Sequence, residues 1–248
     1  MRWLVLAALL ALPVFLALPI AAAAAPCRTT TFEDHRYTVC EAPASADLRV
    51  FQQAVDGQPY GSFARIDSAL EPEGKTLAFA MNGGMYHPGR APVGLLIENG
   101  TQLSPLVMGA SAGNFGLLPN GVLCLGDGAK VIETRRFAKT PPTCRYATQS
   151  GPMLVIGGQL HPRFIPDSDS RYVRNGVGVS ADGGTVFFAI SDDAVNFAEF
   201  GRFFRDALKT PNALYLDGSI SRLYAPSLGR DDFGFPMGPI VGLVVPRG

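Results

Sequence analysis

Three apolar runs of this sequence end in residues that a buried strand would not choose. Thr76 to Met81 runs into Asn82-Gly83-Gly84-Met85-Tyr86, Thr185 to Ile190 into Ser191-Asp192-Asp193, and Ala213 to Leu216 into Asp217-Gly218-Ser219. Each alone reads as a turn. If the three strands share a sheet and a direction, the polar sets meet at one edge, where open sheets bind ligands. Between them stand Gln149-Ser150-Gly151-Pro152, ahead of the apolar Met153 to Ile156, and Arg174-Asn175-Gly176, ahead of Val177. Arginine just before a strand reads equally as a solvated rim charge or, since a planar guanidinium clamps a phosphate bidentately, as an anion site, for which Arg174 with Asn175 is the candidate. Asp192 reads equally well as a second carboxylate or, with Asp193, as a cap on the turn leading to a helix near Asn196.

Other chemistries find less support. Neither Ser150 nor Ser219 lies in a Gly-x-Ser-x-Gly elbow, and none of the three histidines, His35, His87 and His161, stands in a partner motif. The chain has no Cys-x-x-Cys spacing for zinc. Asp167-Ser168-Asp169-Ser170 lacks the rest of a calcium loop. No metal and no other cofactor is predicted.

The elements that must position these residues are short. Twenty-eight glycines and 20 prolines punctuate apolar segments, the texture of many strands joined by tight turns. Strands are also expected over Val93 to Glu98, Asn114 to Leu118, Val122 to Leu125, Gly176 to Ser180 and Ile240 to Val245, with hairpin turns at Asn120-Gly121 and Asp182-Gly183-Gly184. Two segments look helical. From Asn196 to Lys209 a stripe of Phe200, Phe203, Phe204, Ala207 and Leu208 follows an Asn196/Glu199 capping pair, and from Ser62 to Leu70 Phe63, Ile66 and Leu70 recur at helical spacing. The expected fold is α+β: a single β-rich domain with a mixed sheet, many hairpins and few helices.

Composition narrows the setting. Met1-Arg2, the apolar stretch from Trp3 to Ile20 and the alanines of 21–25 have the three parts of a secretory signal peptide; an uncleaved anchor is the rival reading. The division expected is 1–25 leader and 26–248 one domain, periplasmic or secreted, with no membrane contact after cleavage. The formal net charge is +0 with no basic run, so nucleic acid is not a predicted partner. An even count of four cysteines in an exported chain predicts disulfides, and loop length favours Cys27 with Cys40 and Cys124 with Cys144.

The succession Asn82-Gly83-Gly84-Met85-Tyr86, Gln149-Ser150-Gly151-Pro152-Met153-Leu154, Arg174-Asn175-Gly176-Val177-Gly178 and Leu216-Asp217-Gly218-Ser219 resembles the phosphodiester glycosidase family, in a compact bacterial form. The resemblance covers roughly Thr76 to Val245. It implies hydrolysis of a carbohydrate phosphodiester at the sugar C1, releasing the sugar and leaving a phosphomonoester. That reaction needs a cradle for the phosphate and a carboxyl at the anomeric carbon. On this reading Asp217, Arg174 and Asn82 are catalytic. Gly83, Gly84, Tyr86, Gln149, Ser150, Gly151, Asn175, Asp192, Gly218 and Ser219 contact substrate. The family's Gly-Gly-Ser type continuation after Leu-Asp-Gly is replaced here by Ser219-Ile220-Ser221, so the reaction class transfers better than the sugar. The alternative is a cell-envelope glycan-binding protein that keeps the cleft without turnover.

Overall fold

The computed structural model describes residues 26–109, 113–217 and 220–248. The leader expected over 1–25, together with Gly218 and Ser219, lies outside the described residues. The strands form three sheets. The first has seven, in the order Cys27–Phe32, His35–Pro43, Thr185–Ser191, Asn175–Val179, Asn212–Tyr215, Met153–Ile156 and Gln159–Leu160. The second has five: Arg230–Asp231, Leu223–Ala225, Lys75–Asn82, Ile240–Pro246 and Leu48–Phe51. The third runs Thr101–Ser104, Leu96–Glu98, Tyr146–Ser150, Gly121–Gly126 and Gly128–Glu133. The β-rich α+β class holds, but every ladder among the described residues is antiparallel, so three antiparallel sheets replace the mixed one expected.

One apolar core joins all three sheets. Val177, Phe188 and Leu214 of the first meet Phe79, Met81 and Val241 of the second and Leu96, Leu123 and Tyr146 of the third. The Phe79 and Phe188 rings lie 5.4 Å apart across the junction. In Lys75–Asn82 the register shifts opposite Leu243 and Val244. That bulge lets Phe79 and Met81 face this core while Leu77 and Ala80 face the opposite side. There they pack under the helix Phe63–Leu70, whose N-cap Ser62 accepts from the Arg65 N–H as a cap should.

A short helix not expected from the sequence spans Thr134–Lys139, and the helix Phe197–Arg202 begins with the expected capping box of Asn196 and Glu199 and runs into a π turn over Phe203–Ala207. Its phenylalanines bury against the outer face of the first sheet, with Tyr37 and Tyr215. A Cβ on Gly176 or Gly178 would lie 3.2 Å from Phe200 or 2.9 Å from Phe204, so the bare strand is what allows this close approach. Both expected disulfides are present.

Two local expectations change, and a third feature is new. Asn114–Gly116 is a 3₁₀ turn rather than a strand, because Gly113 at φ 71° and Pro119 interrupt the run and only Phe115 is buried. Asn120-Gly121 enters a strand instead of closing a hairpin: Asn120 is buried and donates to the Phe115 carbonyl. The third is the hairpin Cys27–Phe32/His35–Pro43, turned at Glu33 and Asp34 with φ 47° and 62°, which apolar periodicity does not reveal. Asp182-Gly183-Gly184 does join Asn175–Val179 to Thr185–Ser191 as expected.

Candidate functional site

The strand ends converge, though across two sheets. Asn82 ends a strand of the second sheet and Asn175 begins one of the first, and their buried amides interlock. Asn82 Nδ2 donates to Asn175 Oδ1 at 3.3 Å, and Asn175 Nδ2 donates to the Asn82 carbonyl at 2.9 Å. Asn175 Oδ1 also accepts the Asp217 N–H at 3.2 Å, and Asn82 Oδ1 accepts the Arg222 N–H at 2.8 Å. Two neutral side chains thus fix the backbone at both ends of the segment running from Asp217 to Arg222. Buried amides left unpaired would cost about 1–3 kcal/mol each, so the knot holds only because each member is satisfied.

Other predicted residues build the scaffold behind this knot. Ser150 Oγ donates to the Leu216 carbonyl, holding the residue before Asp217. Gln149 gives its whole amide to packing: Oε1 accepts from Leu95 and Val107, and Nε2 donates to Val107 and Thr134. Gly151 lies where a Cβ would stand 2.5 Å from Asn120 Cβ. The Gly83 N–H donates to the Pro239 carbonyl at 2.6 Å and the Gly84 N–H to Thr148 Oγ1 at 3.1 Å. The expectation that these two amides greet a ligand is corrected by those bonds. Gly84 is required for packing, since a Cβ there would stand 2.4 Å from the Gln149 carbonyl oxygen.

Arg174 is the largest correction. Its side chain is only 1% exposed. Nε donates to the Val195 carbonyl at 2.8 Å, Nη2 to the Ser170 carbonyl at 2.8 Å and Nη1 to the Tyr215 hydroxyl at 3.3 Å, while the guanidinium stacks 3.8 Å from the Phe197 ring centre. Burial pushes its pKa down from the ordinary arginine value, with Tyr215 opposing. An arginine so enclosed ties the helix entry to the sheet and does not reach a cleft. Asp192 also turns away: its carboxylate accepts from Thr38 Oγ1 at 2.9 Å and Arg230 Nη1 at 2.6 Å. Asp193 accepts the Arg36 N–H at 2.8 Å, and the helix is capped by Asn196 alone.

Around the knot stand Tyr86, Asp217, Ser221 and Arg222, of which Ser221 and Arg222 line a cleft. Ser221 Oγ lies 3.5 Å from the Asp217 carbonyl and 3.1 Å from that of Val173. The Tyr86 ring sits on Gly238, where a Cβ would stand 2.4 Å from its Cγ. Burial, then the Asp217 carboxylate, pushes the Tyr86 hydroxyl up to about 12, with Arg222 opposing. Tyr86 therefore stays protonated, with its hydroxyl buried. The cleft, of about 590 Å³, is lined by Ser221, Arg222, Tyr172 and the 231–235 loop. Sequence reading missed Ser221 and Arg222, although Arg222 is the first cation after Asp217. A carboxylate on a rigid strand end, a nearby cation and a neutral phenol form a set suited to splitting an ester of a charged phosphate.

The phosphodiester glycosidase family matches residues 75–232. The "Uncharacterized protein YigE" of Escherichia coli (strain K12) is 36% identical over 218 residues, 85% of this chain and 84% of that protein. Among solved structures, the zebrafish N-acetylglucosamine-1-phosphodiester alpha-N-acetylglucosaminidase catalytic domain, auto-inhibited by its pro-peptide, superposes with a TM-score of 0.57 at 14% identity, covering 88% of this chain and 81% of that one. A hypothetical protein from Synechocystis gives 0.54 at 13% identity, over 88% and 61% of the two chains. At such identities the superpositions speak for the fold.

Proposed function

This chain belongs to the phosphodiester glycosidase family, and we propose that it is an exported hydrolase that cleaves a sugar-1-phosphodiester. The observation carrying the reading is the position of Asp217: its backbone is held by Asn175, Arg222 is held five residues on by Asn82, and its charge is felt by Tyr86. Asp217 acts at the anomeric carbon, as base toward water or as nucleophile. The C1–O bond breaks with its electron pair going to the phosphate, and water supplies the hydroxyl of the released sugar. A phosphomonoester whose second pKa is about 6 leaves readily as an anion, so a cation beside it can do what a strong general acid does in an ordinary glycosidase. Arg222 takes that part, and Tyr86 donates to a phosphate or sugar oxygen. Asn82, Asn175 and Arg174 are positioning residues. Two disulfides suit an oxidising compartment, which with the leader-like sequence of 1–25 supports a periplasmic or secreted site of action.

The test is hydrolysis of a panel of sugar-1-phosphodiesters by the domain from Cys27 onward, with Asp217→Asn and Arg222→Ala beside it. The parent should turn over one of the panel, and Asp217→Asn should lose at least about 10²-fold in kcat while keeping its fold. Full activity in folded Asp217→Asn sinks the assignment. A folded parent that binds sugar phosphates yet releases no sugar replaces the enzyme with a glycan-binding protein.

A further inference from the structure

Asp192, Arg230 and Asp232 form a partly buried ion network that the hydrolysis proposed above does not use. The network bridges two sheets. Arg230, in the second sheet, donates from Nη1 to Asp192 Oδ1 at 2.6 Å and to Thr38 Oγ1 at 3.0 Å. Thr38 lies in a strand of the first sheet and Asp192 just past another. On its other side Arg230 grips the Asp232 carboxylate, from Nε at 3.1 Å and from Nη2 at 2.9 Å. A guanidinium that meets a carboxylate through two nitrogens is fixed in angle as well as in distance.

Asp232 passes this fixation on to Arg222. Its Oδ2 accepts the Leu223 N–H at 3.0 Å, and its own N–H donates to the Leu223 carbonyl at 3.1 Å. The preceding amide, that of Arg222, is the one held by Asn82. Two successive amides are thus tied to two separate elements. Beyond Asp232 the chain then closes on the Arg222 side chain itself: Nη2 donates to the Phe235 carbonyl, and Gly234, at φ 151°, lies where a Cβ would stand 2.6 Å from that nitrogen. Arg222 is only 9% exposed, and among the described residues its guanidinium has that one neutral acceptor and no carboxylate. Arg230 differs, since it gives its donors to two carboxylates. A guanidinium carries five N–H donors, and an enclosed cation without a counter-charge is costly. The remaining donors of Arg222, a residue that lines the cleft, are therefore open to an anion.

We infer that Asp232, gripped by Arg230 and through it by Asp192 and Thr38, is the positioning residue that aims Arg222 at the phosphate. This rests on the hydrolysis proposed above. A fixed charge stabilises a leaving phosphate because it need not reorganise during the reaction, and a misplacement of about 1 Å can cost about 10²-fold.

A merely structural role for Asp232 would weaken the protein without singling out Arg222, and a double-mutant cycle separates the two. Sugar-1-phosphodiester hydrolysis, and the affinity for inorganic phosphate by calorimetry, are measured for the parent, Asp232→Ala, Arg222→Ala and the double variant, all well below their Tm. Asp232→Ala should lower kcat/KM and phosphate affinity about fivefold in the parent, and less than about twofold where Arg222 is already alanine. Asp232→Asn keeps an oxygen for the Leu223 N–H but loses the charge pair with Arg230; it should show a smaller loss with the same non-additivity, and it replaces the alanine variant should that fail to fold. In the ligand-free protein, nitrogen relaxation at Arg222 Nε should report an ordered guanidinium in the parent and a mobile one in the Asp232 variant. Equal losses with and without Arg222 overturn the inference, and so does an Nε relaxation that the Asp232 substitution leaves unchanged. If the parent cleaves no ester while phosphate binding and Nε order still depend on Asp232 through Arg222, hydrolysis falls and the positioning role stands. A parent that neither cleaves nor binds phosphate leaves Arg222 without an anion, and both readings fall.

Discussion

The strand Lys75–Asn82 is polar at both ends, and the ends solve the problem of polarity differently. At Lys75 the groups are charged and wet: Arg49 grips Asp47 and Glu73, and Lys75 Nζ reaches Asp47 at 3.1 Å. Two clefts of about 320 and 380 Å³ flank that end, sharing Arg49, Lys75, Arg145 and Tyr146. At Asn82 the central groups are neutral amides, fully buried and reciprocally bonded. Both ends have concave space, so a cavity alone does not distinguish a site. The difference is preorganisation. Water can replace any partner in the ion network, whereas the amide knot has one satisfied arrangement and holds Asp217 and Arg222 in it.

Breaking the knot is therefore expected to have the largest effect on stability. Asn175→Ala removes the acceptor of the Asp217 N–H and the donor to the Asn82 carbonyl, leaving at least two buried groups orphaned. Urea unfolding should show a loss of about 3 kcal/mol. Hydrolysis measured where the variant is still folded should also fall, because Asp217 is no longer held. A loss below about 1 kcal/mol would mean that water satisfies this end as readily as the other, and the contrast would be gone.

Arg174→Met sharpens the comparison by separating position from charge. The variant keeps much of the packing against Phe197 but strips donors from the Val195 and Ser170 carbonyls. Stability should drop by about 2 kcal/mol. Well below the lowered Tm, KM should stay within about threefold of the parent, while Arg222→Ala raises it about tenfold. The reverse ranking would return the phosphate to Arg174.

How much of this was legible follows from what sequence periodicity encodes. Asn82, Asn175 and Asp217 stood out because small or polar residues interrupt apolar runs, and interruption is local. The cap at Asn196 was legible for the same reason, bonding within three residues. Partition into three sheets was not legible, since the pairing of Lys75–Asn82 with Ile240–Pro246 spans most of the chain and leaves no trace in either segment. Direction was equally hidden. Arg174 and Arg222 are the same residue type, each flanking a strand, and it is the Val195 and Ser170 carbonyls and the rings of Phe197 and Tyr215 that enclose the first. The Thr-rich first hairpin escaped because Thr29 to Thr31 are polar on both faces.

The smallest effect belongs to the charged end, at Asp47. Two hydrogen bonds from Arg49, at 2.9 and 2.8 Å, hold its carboxyl down at about 2, with Lys75 assisting and partial burial opposing. A carboxylate whose folded pKa is depressed contributes stability above its unfolded value, here 3.8, and that contribution disappears as pH falls through the folded one. The side chain is 35% exposed, so solvent screening reduces what the shift alone would suggest, and Asp47→Asn should cost about 0.5–1 kcal/mol at pH 7 and low salt. Parent and variant urea midpoints should differ by that amount down to about pH 4, converge between pH 4 and 2, and also converge near 1 M salt, where screening lengths fall to about 3 Å. A cost near 3 kcal/mol that survives salt would make this end as enclosed as the amide knot, and preorganisation would no longer tell the two ends apart.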